Sequence, residues 1–101
     1  MYINIPDYQD SKIFKIYSTN PNIKEEFYGY SFDEDLMNDL EFYKATFNNN
    51  NDEHSLFKMF RKYGTQEFQI KLVERYSCKS LRELEERIND LESFKINLIL
   101  K

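Results

Sequence analysis

A chain of 101 residues, 41% hydrophobic and 32% charged, has the material for a single domain over residues 1–101 and none for a second core. Two Gly and two Pro exclude collagen-like and Pro/Gly-rich disordered chains, and they leave nothing from which to build a glycine-rich phosphate cradle. Fourteen Lys and Arg against eighteen Asp and Glu give a net charge of -4, the wrong sign for nonspecific attraction to nucleic acid, so any DNA contact must be local.

A domain this small buries only about 60 to 65% of its unfolded surface, so large side chains must fill its core. Eight Tyr and nine Phe are available for that. Cys78 is the only cysteine, which excludes an intramolecular disulfide and a multi-cysteine zinc site, and it reads as a small buried thiol. The N-terminal residues lack both a basic start and an apolar run of signal length, and no stretch approaches about 18 apolar residues. The expectation is a soluble protein of an intracellular, cytoplasmic compartment. Richness in Asn, Ile, Lys, Tyr and Phe fits an AT-rich coding genome such as that of a phage or large virus.

In chain order, Ser11 to Ser18 sets Phe14 and Ile16 on one face and Ile13, Lys15 and Tyr17 on the other, the alternation of a strand. Asn20, Pro21 and Asn22 make a turn. Glu25 to Tyr30 then resumes as a second strand, which predicts an antiparallel hairpin, and Gly29 inside it marks a close backbone approach. From Asp33 the period changes: Leu36, Leu40, Tyr43 and Phe47 form one helical stripe, with Asp33, Glu34 and Asp35 at the positive end of the dipole. Residues 48–53 are polar and read as a surface loop, a second use of which is partner contact; His54, the only histidine, reads as a surface residue rather than a general base. Ser55 to Tyr63 is a short helix with Leu56, Phe57 and Phe60 inward, Lys58, Arg61 and Lys62 elsewhere, and Gly64 as its stop.

Phe68, Ile70 and Leu72 alternate with Gln69, Lys71 and Val73 as a third strand. A second long helix begins after Ser80, which forms a capping box with Glu83, and carries Leu81, Leu84, Ile88 and Leu91. A coiled-coil heptad breaks at Lys95, so this helix is expected on the sheet. Ile96 to Leu100 is apolar enough to dock on the body or on a second copy, giving a homodimer through the C-terminal helix. The order ββααβα implies an α+β fold: a small three-stranded antiparallel sheet flanked by three helices.

Four segments in this order resemble the GIY-YIG nuclease family of homing and excision-repair endonucleases, over most of the chain. Lys15-Ile16-Tyr17 lies where the family has Gly-Ile-Tyr, and Phe27-Tyr28-Gly29 where it has Tyr-Ile-Gly. Lys62-Tyr63-Gly64, then Phe68 and the strand Gln69 to Val73, is similar to the family's Lys-Tyr-Gly, Phe and β-strand. Leu84-Glu85-Glu86-Arg87-Ile88 is similar to the late helix whose Leu-Glu pair supplies the metal ligand, with Leu91-Glu92 as a second frame and Asn97 as a match to an Asn that often follows. The resemblance implies phosphodiester cleavage with one divalent metal, Mg²⁺, on the Glu, a Tyr near the nucleophilic water, and an Arg on the first helix that neutralises the phosphate.

Residue by residue, Tyr17 keeps the position of the hydrogen-bonding base or positioner, Phe27 replaces the second motif's Tyr, and Glu85 keeps the metal position. The family's Arg and the His one turn later fall on Asp39 and Tyr43, and no Arg precedes Arg61. A unit charge 4 Å from a phosphate is worth about 4 kcal/mol at an effective dielectric of 20, so this exchange turns an attraction into a repulsion. Such arginines are worth on the order of 10³ to 10⁵ in rate. Three routes would restore activity: Asp39 joining Glu85 as a second metal ligand, a cation from Lys44 or from the group Lys58, Arg61 and Lys62, or a shifted alignment. The leading expectation is a catalytically degenerate domain that binds a basic protein partner through its acidic surface, or else DNA. The alternatives are an active Mg²⁺-dependent endonuclease using Tyr17, Glu85 and a substitute cation, and a small acidic inhibitor or adaptor unrelated to nucleases.

Overall fold

The computed structural model describes residues 8–48 and 54–99, with side chains at 8–47 and 54–93. Strand β1 (Lys12–Tyr17) pairs antiparallel with β2 (Phe27–Ser31) on one side and with β3 (Gln69–Arg75) on the other, so the sheet order is β2-β1-β3 with β1 in the centre. Three helices, α1 (Leu36–Asn48), α2 (Ser55–Tyr63) and α3 (Leu81–Ile99), complete an α+β fold in the order ββααβα, and short 3-10 turns precede β1 and β3. No helix among the described residues is long and apolar enough to cross a membrane.

The two faces of β1 dictate the layering. Phe14 and Ile16 face one cluster, with Leu40 of α1, Leu56, Phe57, Met59 and Phe60 of α2, and Phe68. Ile13 faces the other, with Leu84 and Ile88 of α3 and Cys78. A central strand buried on both faces reads apolar almost throughout, and Ile13, Phe14 and Ile16 are fully buried. Cys78 is a buried free thiol, its Sγ near the carbonyls of Tyr8 and Ser80.

Local chemistry explains where the elements begin and end. β2 starts at Phe27 rather than Glu25 because the preceding acids are engaged elsewhere: Tyr63 Oη donates to Glu25 at 2.6 Å, and Lys15 donates to Glu26 at 3.3 Å. α1 starts at Leu36 rather than Asp33 because the acids cap it from outside: Asp35 accepts from the Met37 N–H at 3.0 Å and Asp33 from that of Asp35. Gly64 ends α2 at φ +90°, where an L side chain is strained, and its N–H donates to the Phe60 carbonyl at 2.8 Å. Ser80 accepts from the Glu83 N–H while Glu83 accepts from the Lys79 N–H, a capping arrangement that heads α3. In β3 a bulge opposite Ile13 and Phe14 passes over Val73, pairing Phe14 with Leu72 and Ile13 with Glu74. Leu72, on an edge strand, remains 40% exposed.

Gly29 sits opposite Phe14 in the hairpin, and a Cβ there would stand 2.6 Å from Phe14 Cζ. The Phe14 ring is fully buried, so the strand approaches it only without a side chain at that point. Residues 49–53 of the polar loop and the side chains of Ile96 to Leu100, the dimerisation tail, lie outside the described residues, as does the side chain of Asn97.

Candidate functional site

The edge of β2 opens into a cleft of about 390 Å³. Its wall is β2 itself, with Phe27, Tyr28, Gly29 and Tyr30 in succession, because an edge strand exposes both its backbone and alternate side chains. Tyr43 enters from α1 and His54 from the head of α2. α3 supplies Glu85, Ile88 and, one turn after Glu85, Asn89. The structure therefore brings Phe27, Tyr43 and Glu85 to one place, although the first and last lie 58 positions apart in sequence.

The rings hold one another. Phe27 meets Tyr43 edge-on at 6.3 Å and His54 edge-on at 5.2 Å, and Phe27 also packs on Phe14 below. His54 Nδ1 accepts from the Leu56 N–H at 3.2 Å, making the histidine the N-cap of α2. Sequence reading places His54 on the surface, where it is, but not in the cleft. The one available signal is its position immediately before the helix that Ser55 begins. Tyr28, Tyr30 and Asn89 were equally unannounced as a group, since only the tertiary pairing of the β2 edge with α3 assembles them.

Burial raises the Tyr43 phenol above its ordinary value, with Asp39 and Tyr30 adding to the effect. Tyr28 is raised as well, by burial and then Glu26, with Lys15 opposing and Glu92 adding. Both phenols are protonated at neutral pH and neither can act there as a base. The Glu85 carboxylate is exposed and, among the described residues, takes part in no hydrogen bond or ion pair.

Tyr17 and Asp39 do not line this cleft among the described residues. The Tyr17 ring has two ammonium groups near it, Lys15 at 5.5 Å and Lys71 at 5.2 Å from its centroid. Asp39 accepts a 2.7 Å hydrogen bond from Ser31 Oγ, and Ser31 in turn accepts from the Asp33 N–H, so the carboxylate ties the start of α1 to the end of β2. Burial lifts its pKa above the usual aspartate range, and nearby Asp33 adds to this; the Ser31 bond and the charge of Lys12 oppose it. Lys12 is 3% exposed, its Nζ 3.4 Å from the Asp10 carbonyl.

Lys58, Arg61 and Lys62 are exposed on the outer side of α2, with Lys62 paired to Glu25 at 3.6 Å and over the Tyr63 ring. Neither they nor Lys44 line the cleft. Glu92, the second candidate for the metal position, is exposed on α3 outside the lining. Glu85 is the only carboxylate among the described lining residues, and no group of three or more His, Cys, Asp or Glu stands together as a metal site among the described residues. Mg²⁺ commonly keeps several waters and is held through one or two carboxylates together with substrate phosphates, so Glu85 is the one carboxylate ligand that the described lining would offer it.

Comparison with known protein families, curated proteins and solved structures yields no match.

Proposed function

We propose that this chain is a catalytically silent domain of GIY-YIG type that serves as a binding module for a basic protein partner. The element order and the placement of Phe27, Tyr43 and Glu85 around one cleft support the family reading. One observation carries the loss of catalysis: among the described residues lining that cleft there is one carboxylate and no Lys or Arg.

A phosphodiester brings a negative charge that must be neutralised before it can be attacked. Asp39, where the resemblance calls for Arg, is committed to Ser31, and Tyr43, where it calls for His, is a protonated phenol. Among the described lining residues, no Lys or Arg offsets the repulsion between Glu85 and a phosphate. Exposed carboxylates at Glu83, Glu86 and Asp90 on α3 and at Asp33, Glu34, Asp35 and Glu41 around α1 give a basic protein a complementary field.

The test is incubation of the purified chain with Mg²⁺ or Mn²⁺ and single-stranded, nicked and duplex DNA. All three are expected to remain intact. Metal-dependent cutting that disappears in Glu85→Ala would instead establish the second reading, an active endonuclease, in whose favour stands the meeting of Glu85, Tyr43 and His54 in one cleft.

A further inference from the structure

We propose that the β2-edge cleft receives a guanidinium group, the side chain of an arginine presented by the basic partner. The inference rests on the reading of the domain as a silent nuclease relative that binds protein, and it names the chemical group and the place. Five rings, Phe27, Tyr28, Tyr30, Tyr43 and His54, line the cleft with a single carboxylate, Glu85, and no Lys or Arg is among the described lining residues. The faces of aromatic rings carry negative charge density, so rings and carboxylate together select a cation.

Four other glutamates of this molecule are engaged by its own side chains, while Glu34, Glu41, Glu67 and Glu92 are not so engaged among the described residues but lie outside the cleft lining. Glu25 accepts from Tyr63, Glu26 pairs with Lys15, Glu74 with Arg87, and Glu86 with Arg82. Glu85 has no such partner among the described residues, although it sits in the same helix as Glu86. The molecule also contains the proposed contact in internal form. Arg87 donates from Nε and from a terminal nitrogen to the two oxygens of Glu74, both at 2.7 Å, while its guanidinium carbon lies 6.0 Å from the centroid of the Tyr76 ring. Carboxylate, tyrosine ring and guanidinium are thus already combined at the β3 edge. At the β2 edge the first two are present, and the cleft, at about 390 Å³, has room for the third.

A guanidinium suits this place better than an ammonium. It is planar, weakly hydrated and able to stack on a ring while donating two parallel hydrogen bonds to a carboxylate, whereas an ammonium is a compact and strongly hydrated point charge. Among the described strands β2 is at the edge of the sheet, and its outer backbone groups offer a line beside the cleft on which an extended partner segment can align.

The experiment is an amide-resolved NMR titration of the full chain with N-acetyl-arginine methylamide to about 100 mM at constant ionic strength, a range suited to a single weak cation contact. The citrulline and lysine analogues are titrated in parallel. Saturable shifts are expected at Gly29, Tyr30, Glu85 and Asn89 with the arginine probe, none with citrulline, and binding at least about threefold weaker with lysine. Glu85→Gln should weaken arginine binding about three- to tenfold, and Glu86→Gln should leave it unchanged. Equal shifts with citrulline or lysine, the absence of shifts at the cleft, or full binding by Glu85→Gln would overturn the proposal; the first two outcomes need no variant at all. If DNA stays intact and arginine does not bind, this inference alone falls. If DNA is cut in a metal-dependent way, the reading beneath it falls.

Discussion

The two edges of the sheet are built from the same helix and similar side chains, yet they dispose of charge in opposite ways. At the β3 edge Glu74 is gripped by both arms of Arg87, and Tyr76 lies beside the guanidinium. At the β2 edge, two residues earlier on the same helix, Glu85 stands among aromatic rings with no ion pair among the described residues. Residues 85 and 87 of a helix point about 200° apart, so one helix serves both edges. The difference teaches which polar groups belong to the fold. The Glu74 and Arg87 pair joins α3 to β3, whereas Glu85 makes no such bond among the described residues.

The strongest way to break this contrast is to remove the ring on which the β2 edge rests. Phe14→Ala should cost about 3 to 5 kcal/mol in urea unfolding and should disturb Phe27 and Tyr43 in side-chain NMR, because Phe14 is fully buried and packs against both. A cost below about 1 kcal/mol would mean that the edge does not depend on this core. Next comes Gly29→Ala, whose methyl must displace the Phe14 ring from 2.6 Å; an expected loss of about 1 to 3 kcal/mol is measured in the same way.

Smaller effects sharpen the comparison through pH. Arg87 bonding holds the Glu74 carboxyl below its ordinary value against the opposing effect of burial. A depressed folded pKa gives stability that is present above the unfolded value, near about 4.3, and is lost as pH falls through the folded value. Glu74→Gln should therefore lower Tm at pH 7 and have a vanishing effect in strong acid. Asp39 runs the other way. Its carboxyl is raised by burial, so the ionised form costs stability above the folded pKa, and the cost disappears below the unfolded value of about 3.9. Asp39→Asn, which keeps an acceptor for Ser31 Oγ, should raise Tm slightly at pH 7 and leave it unchanged near pH 3. Glu85→Gln is expected to change stability by less than about 0.5 kcal/mol in urea unfolding, as for an exposed group with no bond among the described residues.

Much of this arrangement is readable along the chain, and the limits have physical causes. The helix over Ser55–Tyr63 is legible to the residue because its apolar stripe ends at a glycine whose conformation other residues avoid. The stripe Leu36, Leu40, Tyr43 and Phe47 packs on the core as its spacing requires, but three acids before it cap the helix from outside, an arrangement that charge alone does not distinguish from a first turn. β2 begins two residues late since Glu25 and Glu26 answer to Tyr63 and Lys15, partners distant in sequence. The bulge at Val73 has no local signature. For the cleft, the resemblance supplies Phe27, Tyr43 and Glu85, while His54, Tyr30 and Asn89 join them only because one strand edge meets three helices. Asp39 reads in sequence as a charge in the wrong place; the structure shows what it does instead, through Ser31.

The central claim is that no face of this cleft neutralises a phosphate, and fluorescence anisotropy of labelled duplex and single-stranded DNA at low ionic strength addresses it without any need for catalysis. Phosphate binding releases counterions, so genuine contacts appear as affinity that falls steeply with salt, by a slope of about 0.9 per contacted phosphate on duplex DNA. The expected result is no binding to either DNA even at the lowest salt. Salt-dependent binding that strengthens in Glu85→Gln, showing a phosphate seated against that carboxylate, would contradict it.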